Sequence, residues 1–314
     1  MADDLADALF KRKFLGAGDL KAPRLLPPNV DLSGGESFGR FQVEKELGQG
    51  GLGRVVLAID PLDGRRVALK LLKRGLPDDF LRFAREARVA RELAHPNIVP
   101  ILETGQVGDQ PYIAMAYVDG PTLNDHAPPI PARVDVAIKL ARALGHAHAH
   151  GIVHLDVKPD NILIDADGEP RLTDFSLARH FGVETRQITR EGFVAGTPHF
   201  MSPEQCGAQR DLGPQSDVFS LGSTLYFYFS RSIPFPAARV EEVFRRIEQV
   251  VPTPPRQLVP SIPAAVEAVI LQAMEKEPAR RFADGNAMAD ALERARDAKD
   301  TAGFLSWLKR LLGA

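Results

Sequence analysis

Two short runs near the middle of the chain carry side chains suited to phosphate chemistry. The first, residues 154–161, reads His-Leu-Asp-Val-Lys-Pro-Asp-Asn and places a carboxylate, an ammonium and an amide close together. Moving a phosphoryl group to a hydroxyl requires positioning, charge neutralisation and an acceptor for the hydroxyl proton. We therefore predict that Asp156 orients the hydroxyl and takes its proton, and that Lys158 contacts the transferring group.

The second run, residues 174–176, reads Asp-Phe-Ser and supplies a further carboxylate. Mg²⁺ takes hard oxygen ligands from carboxylates and amides and keeps several waters. Asn161, at the end of the first run, and Asp174 are therefore the predicted metal ligands, for Mg²⁺ or for Mn²⁺ in its place.

A glycine-rich run lies far upstream of these two loops. Residues 48–53 read Gly-Gln-Gly-Gly-Leu-Gly, and the β-type run at 54–59 that follows places the glycines in a hairpin rather than at the start of a helix. Glycine lets backbone N–H groups approach phosphate oxygens because no Cβ intervenes. Gly48, Gly50 and Gly53 are therefore candidate phosphate-binding residues.

Lys70 lies in the apolar run 66–72, one short hairpin beyond the glycines. A lysine in a strand ordinarily points to solvent, but a cation at this place could neutralise phosphate charge. Such an ammonium needs a partner that holds it in position. Glu86, among apolar neighbours on a predicted helix at 78–94, is the best candidate.

The elements that must position these side chains change in type along the chain. Alternating apolar residues predict strands first, and runs of helical period predict helices later. The predicted strands are 41–43, 54–59, 66–72, 98–102 and 112–117, followed by a strand and hairpin pattern at 152–173. The predicted helices are 78–94, 132–150, 216–230, 239–249, 263–276 and 284–298. A strand-rich first part and a helix-rich second part predict an α+β protein in two lobes.

The composition excludes several other classes of protein. The 314 residues are 44% hydrophobic and 25% charged, with a formal net charge of −2. The chain therefore lacks the excess of basic residues that would indicate nucleic-acid binding. Cys206 is the only cysteine, which excludes an internal disulfide and predicts a buried thiol in the reducing cytoplasm. Acidic residues follow Met1, and no run is apolar enough to predict a signal peptide or a transmembrane segment.

Taken together, these motifs resemble those of eukaryotic-type protein kinases, and most of all the bacterial serine/threonine kinases. The matching residues run from about Arg40 to Ala295. The resemblance implies an α+β fold with a small antiparallel N-lobe sheet and one main helix, a larger helical C-lobe, and ATP in the cleft between them. It also implies ATP and Mg²⁺ as cofactors. Lys158 and Thr197 resemble the residues found at these positions in serine/threonine kinases rather than in tyrosine kinases. The implied partner is therefore a protein with a serine or threonine acceptor.

The resemblance assigns the nucleotide contacts residue by residue. Glu86 would pair with Lys70, and Met115 would be the gatekeeper. The backbones of Ala116 and Val118 would hydrogen-bond adenine. The implied nucleotide contacts are Leu47, Gly48, Gly50, Gly53, Val55, Ala68, Lys70, Met115, Ala116, Val118 and Leu163.

Residues 196–204, Gly-Thr-Pro-His-Phe-Met-Ser-Pro-Glu, resemble the end of an activation segment. By the same resemblance Glu204 would pair with Arg281, and Asp217 would brace the catalytic loop. The candidate phosphorylation sites are Thr185, Thr189 and Thr197.

Three positions depart from the family pattern. Leu155 stands where most relatives have an arginine that binds a phosphate on the activation segment, so we expect activity that does not depend on that contact. Ser176 replaces a glycine, which predicts a less easily flipped Asp174. Ala116 replaces a common glutamate and should matter little. Because the predicted catalytic residues are all present, an active enzyme is favoured over an inactive, nucleotide-binding regulatory scaffold.

The chain ends are predicted to lie outside the kinase domain. The predicted organisation is an extension at 1–38, a kinase domain at 39–298 with an N-lobe at 39–118 and a C-lobe at 119–298, and an amphipathic segment at 299–314. The apolar stripe of the last segment comprises Phe304, Trp307, Leu308, Leu311 and Leu312. Its spacing predicts a helix docked on the domain or on a partner, with a membrane-surface helix as the alternative.

Other readings of the polar residues are weaker. His146 and His150 have the i, i+4 spacing of a zinc site, but nothing in that segment completes one, and a polar helix face accounts for them better. Residues 165–168 fit a hairpin turn better than a calcium loop. A small-molecule kinase is less favoured because 174–204 is long enough to bind a protein. The sequence does not indicate the oligomeric state, the activating signal or the particular substrate.

Overall fold

The computed structural model describes residues 35–49, 53–71, 93–108, 110–175, 198–209 and 212–298, together with the backbone of 72, 179–180 and 299–311. Contacts between residues divide the chain into two compact units. The first contains the described residues up to position 72 together with Ile101–Tyr117. The second contains 93–100 and the described residues from Val118 onward.

The first unit is built on one antiparallel sheet of six strands in the order β1-β2-β3-β4-β6-β5. The strands are β1 (Ser37–Phe38), β2 (Phe41–Gln49), β3 (Gly53–Ile59), β4 (Arg66–Leu72), β5 (Ile101–Val107) and β6 (Gln110–Ala116). The turn between β3 and β4 contains Gly64 with φ of 73°. That backbone conformation favours glycine, which is why the Asp63-Gly64 pair predicts this turn.

Alternation along the strands gives this sheet two different faces. One face carries the hydrophobic core of the unit, formed by Phe38, Phe41, Val43, Val56, Ala58, Val67, Leu69, Leu71, Tyr112 and Ala114. The intervening residues, among them Val55 on β3 and Ala68 and Lys70 on β4, point to the opposite face. Burial of the core face therefore fixes the direction of Lys70.

Arg40 forms the centre of an ion-pair network in the first unit. Its Nη2 lies 2.8 Å from Asp60 Oδ2 and 2.5 Å from Glu103 Oε2. Glu103 Oε1 also accepts a hydrogen bond from the Tyr112 hydroxyl at 2.5 Å. Asp60 is buried, and the hydrogen bond from Arg40 holds the pKa of its carboxyl below its ordinary value. The arginine thus keeps a buried carboxylate charged.

Replacing Arg40 with methionine is expected to lower the free energy of unfolding by about 2–3 kcal/mol, because the buried Asp60 carboxylate loses its partner. Denaturant unfolding followed by circular dichroism measures the loss. Arg65→Met is the matched control, since its ion pair with Asp63 is largely exposed and should contribute less than about 1 kcal/mol. Equal losses in the two variants would contradict this account.

The second unit is mostly helical. Its helices are α1 (Ile130–Ala149), α2 (Pro203–Cys206), α3 (Pro214–Ser230), α4 (Val240–Gln249), α5 (Pro255–Leu258), α6 (Ala264–Ala273) and α7 (Gly285–Leu311). Its short strands are β7 (Ile152–Val153), β8 (Ile162–Ile164), β9 (Pro170–Leu172) and β10 (Arg179–His180), which form the pairs β7–β10 and β8–β9. Helices α1, α3, α4 and α6 confirm the helices predicted from apolar periodicity.

Helix α3 forms the core of the second unit. Val218, Phe219 and Leu221 are fully buried. A Cβ added to Gly222 would lie only 2.8 Å from the Ala273 side chain, so glycine permits the close packing of α3 on α6. Asp217 lies in the first turn of this buried helix, where the helix dipole favours a negative charge.

The structure differs from the sequence-based prediction around residue 98. The predicted start of the strand at 98–102 is wrong, because the strand begins at Ile101 and Ile98 forms an isolated parallel bridge with Leu172. Asn97 Nδ2 donates to Pro170 O at 2.8 Å and Val99 N donates to Leu172 O at 2.9 Å. These bonds group 93–100 with the second unit rather than with the predicted N-lobe.

The predicted boundaries at the chain ends stay predictions. Helix α7 continues through the predicted break at 298 and ends at Leu311. Most of the predicted helix at 78–94 and most of the 1–38 extension lie outside the described residues, and the described residues 93 and 94 are not helical. Within the described part of the chain, no helix combines the length and apolar character needed to cross a membrane.

Candidate active site

The loop after β7 carries the predicted base, and Asp217 holds its backbone. Asp217 Oδ2 accepts a hydrogen bond from His154 N at 2.7 Å, and Oδ1 accepts one from Leu155 N at 2.8 Å. His148 Nε2 donates to Oδ2 at 2.9 Å. The fully buried Asp217 carboxylate therefore fixes the two backbone N–H groups directly before Asp156.

The charge of Asp217 follows from these bonds. Burial by itself would raise the pKa of its carboxyl, but the hydrogen bonds from His148 and from the backbone N–H of His154 outweigh burial and lower the pKa. An ionised carboxylate makes shorter and stronger hydrogen bonds than a neutral one. The loop before Asp156 is therefore tied to the buried first turn of α3.

Leu155 has a left-handed backbone conformation with φ of 65°. A residue other than glycine pays about 1–3 kcal/mol for such a conformation and keeps it only where its surroundings hold it. The leucine side chain is 3% exposed and packs with Val153 and Leu212. In place of the usual arginine, this position therefore presents an apolar side chain packed in a cluster, with no donor for a phosphate.

His154 connects the loop of Asp156 to the segment of Asp174. Its Nδ1 accepts from Asp156 N at 3.2 Å, and its Nε2 donates to Thr173 O at 3.0 Å. The ring is fully buried and lies 4.4 Å, between centroids, from Phe175. Both ring nitrogens are used, so the histidine fixes the backbone on each side of the predicted site.

The predicted residues of the catalytic loop form one cluster. Lys158 Nζ lies 3.0 and 2.8 Å from the two carboxylate oxygens of Asp156. Asn161 Nδ2 donates to Asp156 O at 2.8 Å and to Asp156 Oδ2 at 2.9 Å. Burial raises the pKa of Asp156 above its ordinary value, against the lowering effect of Lys158. A carboxylate of raised pKa is a better acceptor for a hydroxyl proton.

Asn161 and Asp174 provide a donor set that fits a hard divalent cation. Because Asn161 Nδ2 makes both bonds to Asp156, its Oδ1 is the atom that can face a metal. The negative charge of Asp174 contributes to the raised pKa of Asp156. The carboxylates of Asp156 and Asp174 are therefore close enough to repel each other. Asp174 also has a left-handed backbone with φ of 64°. A cation beside these oxygens would offset their repulsion.

In the first unit, the predicted nucleotide contacts share one face of the sheet. Lys70 is 7% exposed and lies opposite Val55 on β3 and Ile113 on β6. Ala68 lies opposite Met115, and residues directly opposite in antiparallel strands point to the same side. Lys70, Val55, Ala68 and Met115 therefore point away from the hydrophobic core of this unit.

Gly48 pairs with Val55 at the end of β2. Its φ is ordinary, and a Cβ added there would meet no atom within 4 Å. Neither the backbone conformation nor packing against the described residues therefore requires glycine at this position. Without a Cβ, the backbone at this position leaves room for a ligand to approach closely, as the predicted phosphate contact requires.

The remaining predicted nucleotide contacts are divided between the two units. Leu47 is 40% exposed and lies at a β-bulge in β2, and Gly53 begins β3. Ala116 ends β6 in the first unit. In the second unit, Val118 follows the division of the chain, and Leu163 lies on β8.

Glu204 and Arg281 form a buried ion pair. Arg281 Nη1 lies 2.7 Å from Glu204 Oε1, and Nη2 lies 2.9 Å from Oε2. Burial would raise the pKa of Glu204, but its hydrogen bonds and the charge of Arg281 lower it. The Ser216 hydroxyl, at the start of α3, donates to the same carboxylate at 2.7 Å. This pair anchors α2 to the second unit.

The sequence does not predict two buried polar residues near this site. His148, on α1, is 5% exposed, so it is a second buried histidine in addition to His154, which lies in the loop after β7. Gln205 Nε2 donates to Leu155 O at 2.8 Å. The Ser202-x-x-Gln205 spacing predicts a helix cap, but no local pattern links Gln205 to a residue so far away in sequence.

The histidines at the end of α1 were the alternative metal site. The rings of His146 and His150 lie 4.4 Å apart, and His150 Nδ1 donates to His146 O at 2.8 Å. Across the described ranges, no three residues of the types His, Cys, Asp and Glu are arranged to hold a metal ion.

Several predicted residues lie outside the part of the chain that the structure describes. They are Gly50, Glu86, Ser176, Thr185, Thr189 and Thr197.

Comparison with known proteins identifies a family and several bacterial relatives. The protein kinase domain family model matches residues 41–293. The DNA damage-responsive serine/threonine-protein kinase RqkA of Deinococcus radiodurans is 38% identical over 80% of this chain and 39% of its own length. Serine/threonine-protein kinase PrkC of Bacillus subtilis is 36% identical over 85% of this chain and 42% of its own. The chain thus spans about two-fifths of the length of these relatives.

A solved structure has a similar fold. The kinase domain of Mycobacterium tuberculosis PknI, as a double mutant, is 26% identical with a TM-score of 0.65, and the match covers 83% of this chain and 98% of that one. The antiparallel sheet and the helical unit are those of the protein kinase fold. The family model, the relatives and this structure agree, and the chain belongs to the protein kinase family.

Proposed function

We propose that this chain is an ATP- and Mg²⁺-dependent serine/threonine protein kinase. The observation that carries the proposal is the cluster of Asp156, Lys158 and Asn161. It combines a carboxylate of raised pKa, an ammonium 2.8 Å from it and an amide held by the same carboxylate. The similarity to the serine/threonine-protein kinases RqkA and PrkC supports this choice of acceptor.

In the proposed reaction, Asp156 accepts a hydrogen bond from the substrate hydroxyl and then takes its proton. The hydroxyl oxygen forms a bond to the γ-phosphorus, and the bond from that phosphorus to the β–γ bridging oxygen breaks, which releases ADP. Lys158 donates to the transferring group and stabilises its charge. Asn161 and Asp174 would hold Mg²⁺, which when bound neutralises charge on the phosphates.

The first unit is proposed to bind the nucleotide. Lys70, on the face of the sheet opposite the hydrophobic core, would contact the phosphates, and the backbone at Gly48 would approach them. Val55, Ala68 and Met115 share that face and would contact the adenine. The proposal therefore requires Lys70 for fast transfer even though the proton acceptor lies in the second unit.

Replacing Lys70 with methionine is expected to slow phosphoryl transfer by about 10²-fold, because a charge that stabilises the transition state is lost. Transfer of labelled γ-phosphate from Mg·ATP to a generic protein, followed by phosphoamino acid analysis, measures the rate and the acceptor type. Lys45→Met, an exposed lysine on the same sheet, is the matched control and should retain full activity.

The same assay separates the two candidate functions. Transfer to serine or threonine that requires Mg²⁺ supports the kinase proposal. If the unaltered chain bound nucleotide but transferred no phosphate, the kinase proposal would be replaced by that of a nucleotide-binding regulatory scaffold. The departures from the family pattern at Leu155 and Ser176 would then be consistent with an inactive enzyme. Label found only on tyrosine would overturn the proposed acceptor.

A further inference from the structure

The side chain of Gln205 lies between helix α2 and the loop of the proposed base. It is 7% exposed. Its Oε1 accepts from Ser202 N at 3.0 Å and from Ser202 Oγ at 3.1 Å. Its Nε2 donates to Leu155 O at 2.8 Å. The oxygen and the nitrogen of this one amide thus form hydrogen bonds to two different segments of the second unit, the start of α2 and the loop after β7.

The bond to Leu155 completes the restraint on the peptide group before Asp156. The carbonyl oxygen of this peptide accepts from Gln205, and its N–H donates to His154 Nδ1 at 3.2 Å. Asp217 holds the preceding N–H group, that of Leu155. The orientation of the peptide plane sets the direction in which the Asp156 side chain leaves the backbone. With φ of 65° at Leu155, the plane keeps this orientation only while such bonds persist.

The helix cap by itself does not require glutamine at position 205. In the capping box of α2, the side chain of residue 205 acts only as an acceptor for Ser202. A glutamate would provide the same acceptor, because it differs from glutamine only in lacking the N–H donor. The donor is needed by the carbonyl of Leu155.

We propose that Gln205 is a positioning residue that orients Asp156 by holding the Leu155 carbonyl, and that it links the end of the activation segment to the catalytic loop. The link uses the backbone of residue 155, so a leucine there serves as well as an arginine. Glu204, bound to Arg281, anchors the other side of the same short helix. This inference rests on the proposed kinase function.

The decisive variants are Gln205→Glu and Gln205→Met, with Gln209→Glu as a matched control at an exposed position on the same segment. At pH 8 the Gln205→Glu carboxylate would face the Leu155 carbonyl, and kcat is expected to fall about tenfold, with KM for ATP within about twofold of the wild type. Protonation makes the carboxyl isosteric with the amide and restores a donor. Burial raises the pKa of such a carboxyl.

We therefore expect kcat of Gln205→Glu, divided by that of the wild type at the same pH, to recover as the pH falls from 8 to 6. Gln205→Met should be slow at every pH, and Gln209→Glu should match the wild type. A constant ratio across this range for Gln205→Glu, or full activity of Gln205→Met, would overturn the proposal. Loss of a helix cap alone would produce no recovery in acid.

Hydrogen exchange provides a measurement that does not depend on turnover. In peptides that cover 154–157, the amides should exchange faster in Gln205→Met, and in Gln205→Glu at pH 8, than in the wild type or Gln209→Glu. Unchanged exchange would overturn the proposed restraint. If the wild type transferred no phosphate but the exchange differed as expected, the kinase function would fail while the restraint on the loop stood.

Discussion

Replacing Asp156 with asparagine is expected to reduce phosphoryl transfer by about 10²–10⁴-fold, because the substrate hydroxyl loses its proton acceptor. Asparagine preserves the size of the side chain and the acceptor oxygen near Lys158. Steady-state transfer from Mg·ATP, at saturating nucleotide, measures the loss in kcat. Nucleotide affinity should change little, since the proposed role of Asp156 concerns the attacking hydroxyl.

Asp167→Asn is the control for Asp156→Asn. It makes the same chemical change on an exposed hairpin turn between β8 and β9 and should leave the rate unchanged. If Asp156→Asn kept more than a tenth of the wild-type kcat, another group would have to accept the proton. The mechanism built on the catalytic-loop cluster would then be wrong.

The largest effect on stability is expected for Asp217→Ala, with a loss of about 3–5 kcal/mol in the free energy of unfolding. The substitution leaves the buried donors His154 N, Leu155 N and His148 Nε2 without their acceptor. Each buried donor left unsatisfied costs about 1–3 kcal/mol. Denaturant unfolding measures the change, and the chains that remain folded should also transfer phosphate slowly because Leu155 and Asp156 lose their support.

The matched control for this variant is Asp290→Ala. Asp290 lies 2.6 Å from Arg142 in an ion pair whose side chains are 51% and 33% exposed, so its removal should cost less than about 1 kcal/mol. A loss of similar size for Asp217→Ala would show that the buried carboxylate does not hold the loop.

The contribution of Asp217 should also depend on pH. Its pKa is lower in the folded chain than its ordinary value, so its stabilising effect is complete above the pKa of the unfolded chain and is lost as the pH falls through the folded value. The difference in stability between wild type and Asp217→Ala should therefore be constant near neutrality and shrink in acid below about pH 4.

The parts of the site that could be predicted are those that local sequence determines. Asp156, Lys158 and Asn161 are neighbours in one loop, so their residue types and spacing are enough to predict their cluster. The direction of Lys70 follows from a period of two along β4, because the alternate residues Leu69 and Leu71 belong to the hydrophobic core.

The parts that could not be predicted depend on contacts between distant residues. Gln205 and His148 read locally as a helix cap and a helix-face histidine, and only the folded chain brings them to Leu155 and Asp217. The predicted start of the strand at 98–102 was wrong for a related reason. Ile98 is 1% exposed and apolar like a strand residue, but its backbone neighbours pair with β9 of the second unit.

The most direct test of the proposed site is a crystal structure with Mn²⁺ and a non-hydrolysable ATP analogue. The account predicts an anomalous Mn²⁺ peak at roughly 2.1 Å from Asn161 Oδ1 and from a carboxylate oxygen of Asp174, a distance typical of Mg²⁺ sites. The Lys70 ammonium should contact a phosphate of the same nucleotide. A triphosphate bound elsewhere, or a Lys70 side chain directed away from it, would contradict the account.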